Sequence, residues 1–155
     1  MSTEIERKFL VSGTSWRTAT GQRICQGYLN RDKHRTVRVR MAGQQAYLTI
    51  KGLSAGATRA EFEYAIPLED AQAMLALCDG PLIDKMRHLV VHEGLTWEVD
   101  EFLGDNAGLV VAEVELRSEN QEVPLPPWAT EEVTTDPRYF NSSLATYPYS
   151  RWATT

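Results

Sequence analysis

A chain of 155 residues with 43% hydrophobic and 24% charged side chains has the size and apolar content of one compact domain, expected to span 1–155. Its net charge of −5 argues against general affinity for nucleic acid, which depends on clustered Lys and Arg. The charged start, with Glu4, Glu6, Arg7 and Lys8, leaves no apolar segment for a leader peptide, and no later stretch suits a membrane span, so a soluble, cytoplasmic protein with no membrane partner is expected.

In chain order, period-2 patterning predicts strands over 3–11, 22–30, 35–42, 45–52 and 58–66, then 84–92, 95–103 and 109–117. Hairpin turns fall at Gly43-Gln44, between Gly52 and Gly56, and at Glu93-Gly94. One helix interrupts the strands: Pro67, Leu68, Glu69 and Asp70 start it, Ala71, Met74, Leu75 and Cys78 recur at helical spacing, and Gly80 stops it. After a Pro-rich stretch at Pro124, Pro126 and Pro127, a second helix is expected from Pro137 to Ala145, capped by Asp136. Arg31, Lys33, His34 and Arg35 read as a solvated hairpin turn at a tunnel mouth. Cys25 and Cys78 lack metal or disulfide spacing and read as buried free thiols. His88 and His92 read as structural, and Trp97, Trp128 and Trp152 as packing residues.

Successive side chains of a strand point to opposite sides, so every second residue shares a face. Glu4, Glu6 and Lys8 share one; so do Arg38 and Arg40, then Tyr47, Thr49 and Lys51, then Arg59, Glu61 and Glu63. Lys85 with Arg87, Glu98 with Asp100, and Glu113 with Glu115 and Arg117 continue the series. The opposite faces carry Ile5, Phe9, Val37, Val39, Leu48, Ile50, Phe62, Tyr64, Val99, Ala112, Val114 and Leu116, which need burial of their own. An ordinary half-exposed sheet accounts for one or two such strands. Repetition along most of the chain points instead to a functional face; if the sheet closes, that face becomes a lumen, and so charged a lumen needs water, metal ions or an anionic ligand to balance it. Clustered carboxylates are hard oxygen ligands for Mg²⁺ or Mn²⁺, and Arg and Lys hold phosphate oxygens. Together they describe a site for a polyphosphate and a divalent metal.

The ordered series resembles the CYTH superfamily of triphosphate tunnel metalloenzymes. Its signature, E-x-E-x-K, stands here as Glu4-Ile5-Glu6-Arg7-Lys8 and is followed by Arg38 and Arg40, Leu48-Thr49-Ile50-Lys51, Glu61 and Glu63, Lys85 and Arg87, Asp100, and Glu113 and Glu115. The run Gln26-Gly27-Tyr28-Leu29 and the ending Glu132-Val133-Thr134, Asp136, Arg138-Tyr139 and Asn141 look like the short bacterial members. The resemblance implies an α+β, mainly β fold, a closed eight-stranded antiparallel β-barrel with a few peripheral helices, and metal-dependent hydrolysis of inorganic tripolyphosphate. It implies Glu4, Glu6, Glu113 and Glu115 as metal ligands, with Asp100 and Glu61 helping at a second ion, joined there by Glu63 or Glu98. It implies Lys8, Arg38, Arg40, Lys51, Arg59, Lys85, Arg87 and Arg138 as substrate-binding groups, and Lys8, Tyr28 and Glu63 as catalytic ones. Tyr28 is expected to hydrogen-bond Lys8 or a phosphate within the tunnel, or else to pack as a buried hydroxyl, and Arg138, Tyr139 and Asn141 to cap one end of the substrate, or else to pack the helix on the barrel. Rival readings are a thiamine or nucleoside triphosphatase, a class IV adenylyl cyclase and a non-catalytic polyphosphate or nucleotide sensor. The cyclase reading expects an H-F element ahead of the signature, for which Glu4 leaves no room. The intact carboxylate pairs weigh against a sensor, since a pure anion binder gains nothing from them.

Overall fold

The computed structural model describes residues 3–18 and 20–152. Nine strands, β1 (Thr3–Val11), β2 (Gln22–Asn30), β3 (Arg35–Ala42), β4 (Gln45–Gly52), β5 (Thr58–Ala65), β6 (Ile83–His92), β7 (Leu95–Phe102), β8 (Val110–Glu115) and β9 (Ala129–Glu132), pair in the order β5-β4-β3-β2-β6-β7-β8-β1-β9. All pairings are antiparallel, and β1 also joins β5, which closes the first eight strands into a barrel. The four N-terminal strands have the bounds their alternation predicts, and the later ones differ by one or two residues. The hairpin joining β6 and β7 turns through Glu93 (φ 48°) and Gly94 (φ 82°), two left-handed residues as a two-residue hairpin turn with strand-like twist requires.

One edge of β1 is shared by two partners. Thr3, Glu4 and Ile5 pair with Ala60, Arg59 and Thr58 of β5, whereas Phe9 and Val11 pair with Glu132 and Ala129 of β9. Between them, the Glu6 N–H donates to the Ala57 carbonyl, the Lys8 N–H to Thr134 Oγ1, and the Val133 N–H to the Lys8 carbonyl. Sequence patterning does not reveal β9: it is four residues long, ends in two glutamates and follows a Pro-rich stretch, so it has no alternation to read.

Because the inner face is polar, the apolar packing lies outside the barrel and at one end. The helix α1 (Leu68–Leu77) lays Ala71 against Val39 and Ala46, with Leu68, Met74 and Leu75 around them. Gly27 permits this approach, since a Cβ there would lie 2.7 Å from Leu82 Cδ2 and 2.8 Å from Cys78 Sγ. On the other side, Phe9, Trp97, Val99, Ala112 and Val114 are covered by Trp16 from the segment after β1 and by Trp128. Trp97 meets Phe9 and Trp128 at 5.5 and 5.6 Å between ring centroids. His88 points outward, is buried beside Trp16, and its Nδ1 faces the Thr18 N–H at 3.1 Å, a structural setting. The outer face of β4 and β5 is less covered than its apolar residues lead one to expect: Ile50, Phe62 and Tyr64 are exposed. Cys25 and Cys78 are free and only half-buried, because each lies at the margin of the α1 contact.

The third apolar cluster plugs one end of the barrel. Val133, Tyr139, Leu144 and Ala145 of the C-terminal segment pack on Tyr28, Ile83, Phe102 and Val111. The single helix expected from 137 to 145 is divided into a 3₁₀ turn at Pro137–Tyr139 and α2 (Asn141–Leu144). Asp136 caps the first turn by accepting the Arg138 N–H. The break falls at Phe140, whose extended backbone (φ −70°, ψ 133°) leaves its ring 5.3 Å from Lys8 Nζ. Among the described residues no helix is long and apolar enough to cross a membrane.

Candidate active site

Strand register determines which charges meet inside the barrel. Across β1 and β8, Glu6 stands opposite Glu115 and Lys8 opposite Glu113; Glu113 also stands opposite Glu98 of β7. Arg87 faces Asp100, Lys51 faces Glu61, Thr49 faces Glu63, and Glu4 faces Arg59. Arg38 and Arg40 of β3 lie opposite Tyr28 and Gln26. Glu4, Glu6, Glu61, Glu63, Glu98 and Glu113 therefore line one central cavity together with Arg38, Arg40, Lys51 and Arg87, and Glu115 reaches it from an exposed strand end. Its volume is about 160 Å³.

The two ends differ. A mouth of about 540 Å³ opens between Gln22, Ala42, Tyr47 and Leu89, with Arg40, Arg87, Glu63 and Glu98 at its floor. Towards the plugged end the space narrows to about 50 Å³ among Lys8, Tyr28, Lys51, Arg59, Lys85 and Phe140. A rim pocket outside this narrow end includes Lys33, so the hairpin turn between β2 and β3 does reach a tunnel end. His34 and Arg35 in that turn are exposed and pair with Asp32.

The cations are held from behind by the wall. Asp100 takes Arg87 in a bidentate pair at 2.8 and 2.9 Å and Lys85 at 2.8 Å, and both Asp100 and Lys85 are 1% exposed or less. Asp100, expected beside a second metal ion, thus has its oxygens committed to cations. Burial alone would raise its pKa, but Lys85 and Arg87 outweigh it and hold the carboxyl below its ordinary value. Burial, aided by Arg87 and Arg40 against the pull of Asp100, lowers the Lys85 ammonium to about 7. Arg40, buried beside Arg38 and Arg87, is lowered to about 10. The Arg38 guanidinium donates to Thr49 Oγ1 at 3.2 Å and Glu63 Oε1 at 3.3 Å, while its Nε is buried without a partner. A buried charged donor left unsatisfied is costly, and an anion in the cavity would satisfy it.

The carboxylates have the opposite imbalance. Burial, then Glu113 and Glu4, push the Glu6 carboxyl well above its usual range. Burial also acts on Glu113, but Lys8, Arg87 and Lys85 dominate and hold it well below. The proton affinities of the two neighbouring carboxyls are thereby driven apart, Glu6 upward and Glu113 downward. Burial raises Glu4 despite Lys51, which lies 3.1 Å away. Burial also works against Lys8, but Glu113, Glu6 and Glu4 prevail and raise it. Among the described residues no three acidic, imidazole or thiol groups stand at metal-binding spacing; Lys51 holds Glu4 at 3.1 Å and Lys8 approaches Glu113 at 3.8 Å. The donor chemistry nevertheless fits a hard divalent cation: Glu4, Glu6, Glu113 and Glu115 offer only carboxylate oxygen, and a cation would relieve the burial and crowding of like charges that raise Glu4 and Glu6.

Arg138 is placed away from the substrate end: it lies outside the tunnel, exposed, paired with Asp136 at 2.7 Å and stacked on Tyr139 and Trp152 at 5.4 and 5.2 Å. The Tyr28 hydroxyl receives the Gln26 amide at 3.1 Å and lines the same narrow space as Lys8, whose ion-pair partner is Glu113 at 3.8 Å. Sequence reasoning passes over Gln26 and Thr49 as site residues, although both lie in phase with Tyr28 and Lys51 on strands already read as inward-facing. Neutral side chains among charged ones carry little signal by themselves.

A family model described as the CYTH domain matches residues 2–147. An inorganic triphosphatase of Acetivibrio thermocellus is 49% identical over 154 residues, 98% of this chain and 99% of that protein. An inorganic triphosphatase of Nitrosomonas europaea is 35% identical over 147 residues, 92% of this chain and 97% of that one. The crystal structure of an inorganic triphosphatase superposes with a TM-score of 0.67 at 34% identity, covering 94% of this chain and 95% of that one.

Proposed function

Since the chain belongs to the CYTH domain family, we propose that it is a cytoplasmic inorganic triphosphatase that hydrolyses tripolyphosphate to pyrophosphate and phosphate with Mg²⁺ or Mn²⁺ as cofactor. The observation that carries this reading is the paired imbalance of the tunnel: an unpartnered buried guanidinium nitrogen on Arg38, and crowded carboxyls on β1 and β8 whose proton affinities are driven apart, Glu6 upward and Glu113 downward. A metal-bound polyphosphate would relieve both. Glu4, Glu6, Glu113 and Glu115 would hold the metal, with Glu61 adjoining; when bound, it offsets charge on phosphate oxygens and acidifies a water. Arg38, Arg40, Lys51, Arg59, Lys85 and Arg87 grip the phosphates, the guanidinia through paired N–H bonds and the ammonium groups as point charges. Asp100 aims Arg87 and Lys85. Glu63, whose Oε1 accepts from the Thr49 hydroxyl at 2.8 Å, would take a proton from the attacking water. Lys8 and Tyr28 close the narrow end around the phosphate chain. The donors are fixed before substrate enters, so little reorganisation accompanies charge development on the transferring phosphoryl group.

The wide mouth favours a second reading. Tyr47, Leu89, Ile24 and Gln45 line it alongside charge, which suits an organic group attached to the triphosphate, as in a nucleoside or thiamine triphosphate. The test is purified protein incubated with tripolyphosphate, ATP or thiamine triphosphate, with and without Mg²⁺ or Mn²⁺, reading phosphate and pyrophosphate. Metal-dependent phosphate release, fastest with tripolyphosphate, is expected. Pyrophosphate release from ATP would indicate a cyclase, and binding of tripolyphosphate without turnover a sensor.

A further inference from the structure

Two neutral amides at the closed end of the tunnel link the cations proposed to bind phosphate. Asn141, the first residue of α2, extends Oδ1 to Lys85 Nζ at 3.0 Å and to Gln26 Nε2 at 3.3 Å. Gln26 is completely buried; its Oε1 accepts the Arg40 Nε–H at 2.8 Å, and its Nε2 also donates to the Tyr28 hydroxyl at 3.1 Å. Cations on β6 and β3, the tyrosine of β2 and the C-terminal segment are thereby joined by one line of hydrogen bonds.

The chemistry of the linkers matters. An amide offers an acceptor without a negative charge, so it can fix a guanidinium or ammonium without neutralising it against an incoming anion. Reversing the Gln26 amide would set an N–H against the Arg40 N–H, so its orientation is imposed by its neighbours. With Nε committed to Gln26, Arg40 presents its remaining N–H groups to the tunnel. Lys85 gives one donor to Asp100 and one to Asn141, which leaves its third for a phosphate oxygen. Asn141 itself cannot drift, because Tyr139, Leu144 and Ala145 anchor the segment against Tyr28, Ile83 and Phe102.

We infer that Asn141 and Gln26 are positioning residues for substrate capture, and that docking of the C-terminal segment aligns Lys85 and Arg40 for polyphosphate. This rests on the tripolyphosphate reading. A double-mutant cycle on tripolyphosphate binding, measured by titration calorimetry beside steady-state kinetics, separates positioning from mere support. Asn141→Leu removes the acceptor at similar volume. It is expected to weaken binding and raise KM about tenfold, the scale of one charge-assisted hydrogen bond, with kcat changed less than about threefold. In a Lys85→Met background the same change is expected to cost less than about twofold, since the group it positions is gone. Equal losses in both backgrounds, or unaltered affinity in Asn141→Leu with the thermal midpoint preserved, would overturn the inference. If Lys85→Met does not fold, Gln26→Met paired with Asn141→Leu serves instead: the double variant should bind no worse than the weaker single, and additive losses refute the linkage. Wild-type protein that binds tripolyphosphate but never hydrolyses it defeats the triphosphatase proposal alone, while the cycle in binding still decides this one.

Discussion

Glu6 and Lys85 carry the sharpest consequences of burial among the tunnel residues. Replacing Glu6 by Gln removes the charge that burial, Glu113 and Glu4 disfavour. The variant is expected to match or exceed the metal-free wild type in thermal midpoint, yet to lose about 100-fold or more in metal-dependent turnover, as loss of a ligand should exceed the 10–100-fold typical of a ligand's supporting partner. Glu4→Gln and Glu115→Gln should likewise abolish most turnover, whereas Arg40→Ala should chiefly raise KM; wild-type rates in both Gln variants would contradict the ligand assignment. Lys85 gives a pH dependence with a definite sign. Its ammonium is charged below about 7 and neutral above, so its contribution to tripolyphosphate affinity declines as pH rises through that value. Lys85→Met should bind more weakly at low pH and show a flatter profile, measurable by calorimetry across the neutral range. These residues were legible in the sequence because charges at every second position of consecutive strands are a strong signal. Their partners were not: nothing in the chain order says that Asp100 would be saturated by Arg87 and Lys85, or that Arg138 would turn outward onto Trp152, since those choices depend on the shear of the closed barrel and the path of the last segment.

At the scale of elements, alternation located eight strands and caps located α1, while the shortest pieces escaped. The strand β9 has too few residues for a period, and the division at Phe140 follows from a tertiary contact with the tunnel end that local propensity does not contain. The seating of α1 on β2 supplies a test of packing independent of chemistry. In Gly27→Ala the new methyl meets Leu82 and Cys78 inside van der Waals distance. A loss of about 1–3 kcal/mol is expected, the usual cost of overpacking, with activity per folded molecule retained because the clash lies on the outer face. Urea unfolding and an activity assay on the same sample would check both halves of that statement.

For the whole molecule, the raised carboxyls at Glu4, Glu6 and Glu98 dominate the response to mild acid. Each binds its proton more tightly folded than unfolded, so the metal-free protein should gain stability as pH falls from neutral towards the ordinary glutamate range near about 4.3. The depressed carboxyls of Asp100 and Glu113 act in the reverse sense, and what they contribute is lost only below that range. A divalent ion supplies at neutral pH the relief that protons supply in acid. Saturating Mn²⁺ at about 100 times its dissociation constant should add about 2.7 kcal/mol at neutral pH, and visibly less at about pH 5 as ligand protonation competes with the metal; calorimetric scans with and without metal would measure the difference. The double partnership of β1 also governs when all this comes into being. Glu4 and Glu6 precede every other charged residue of the tunnel in the chain, but two of the three strands that receive β1 lie about a hundred positions or more later, at Val110–Glu115 and Ala129–Glu132. The first stave of the cask is thus the last to be hooped, and a ribosome must have passed β8 and β9 before the newborn chain can catalyse anything.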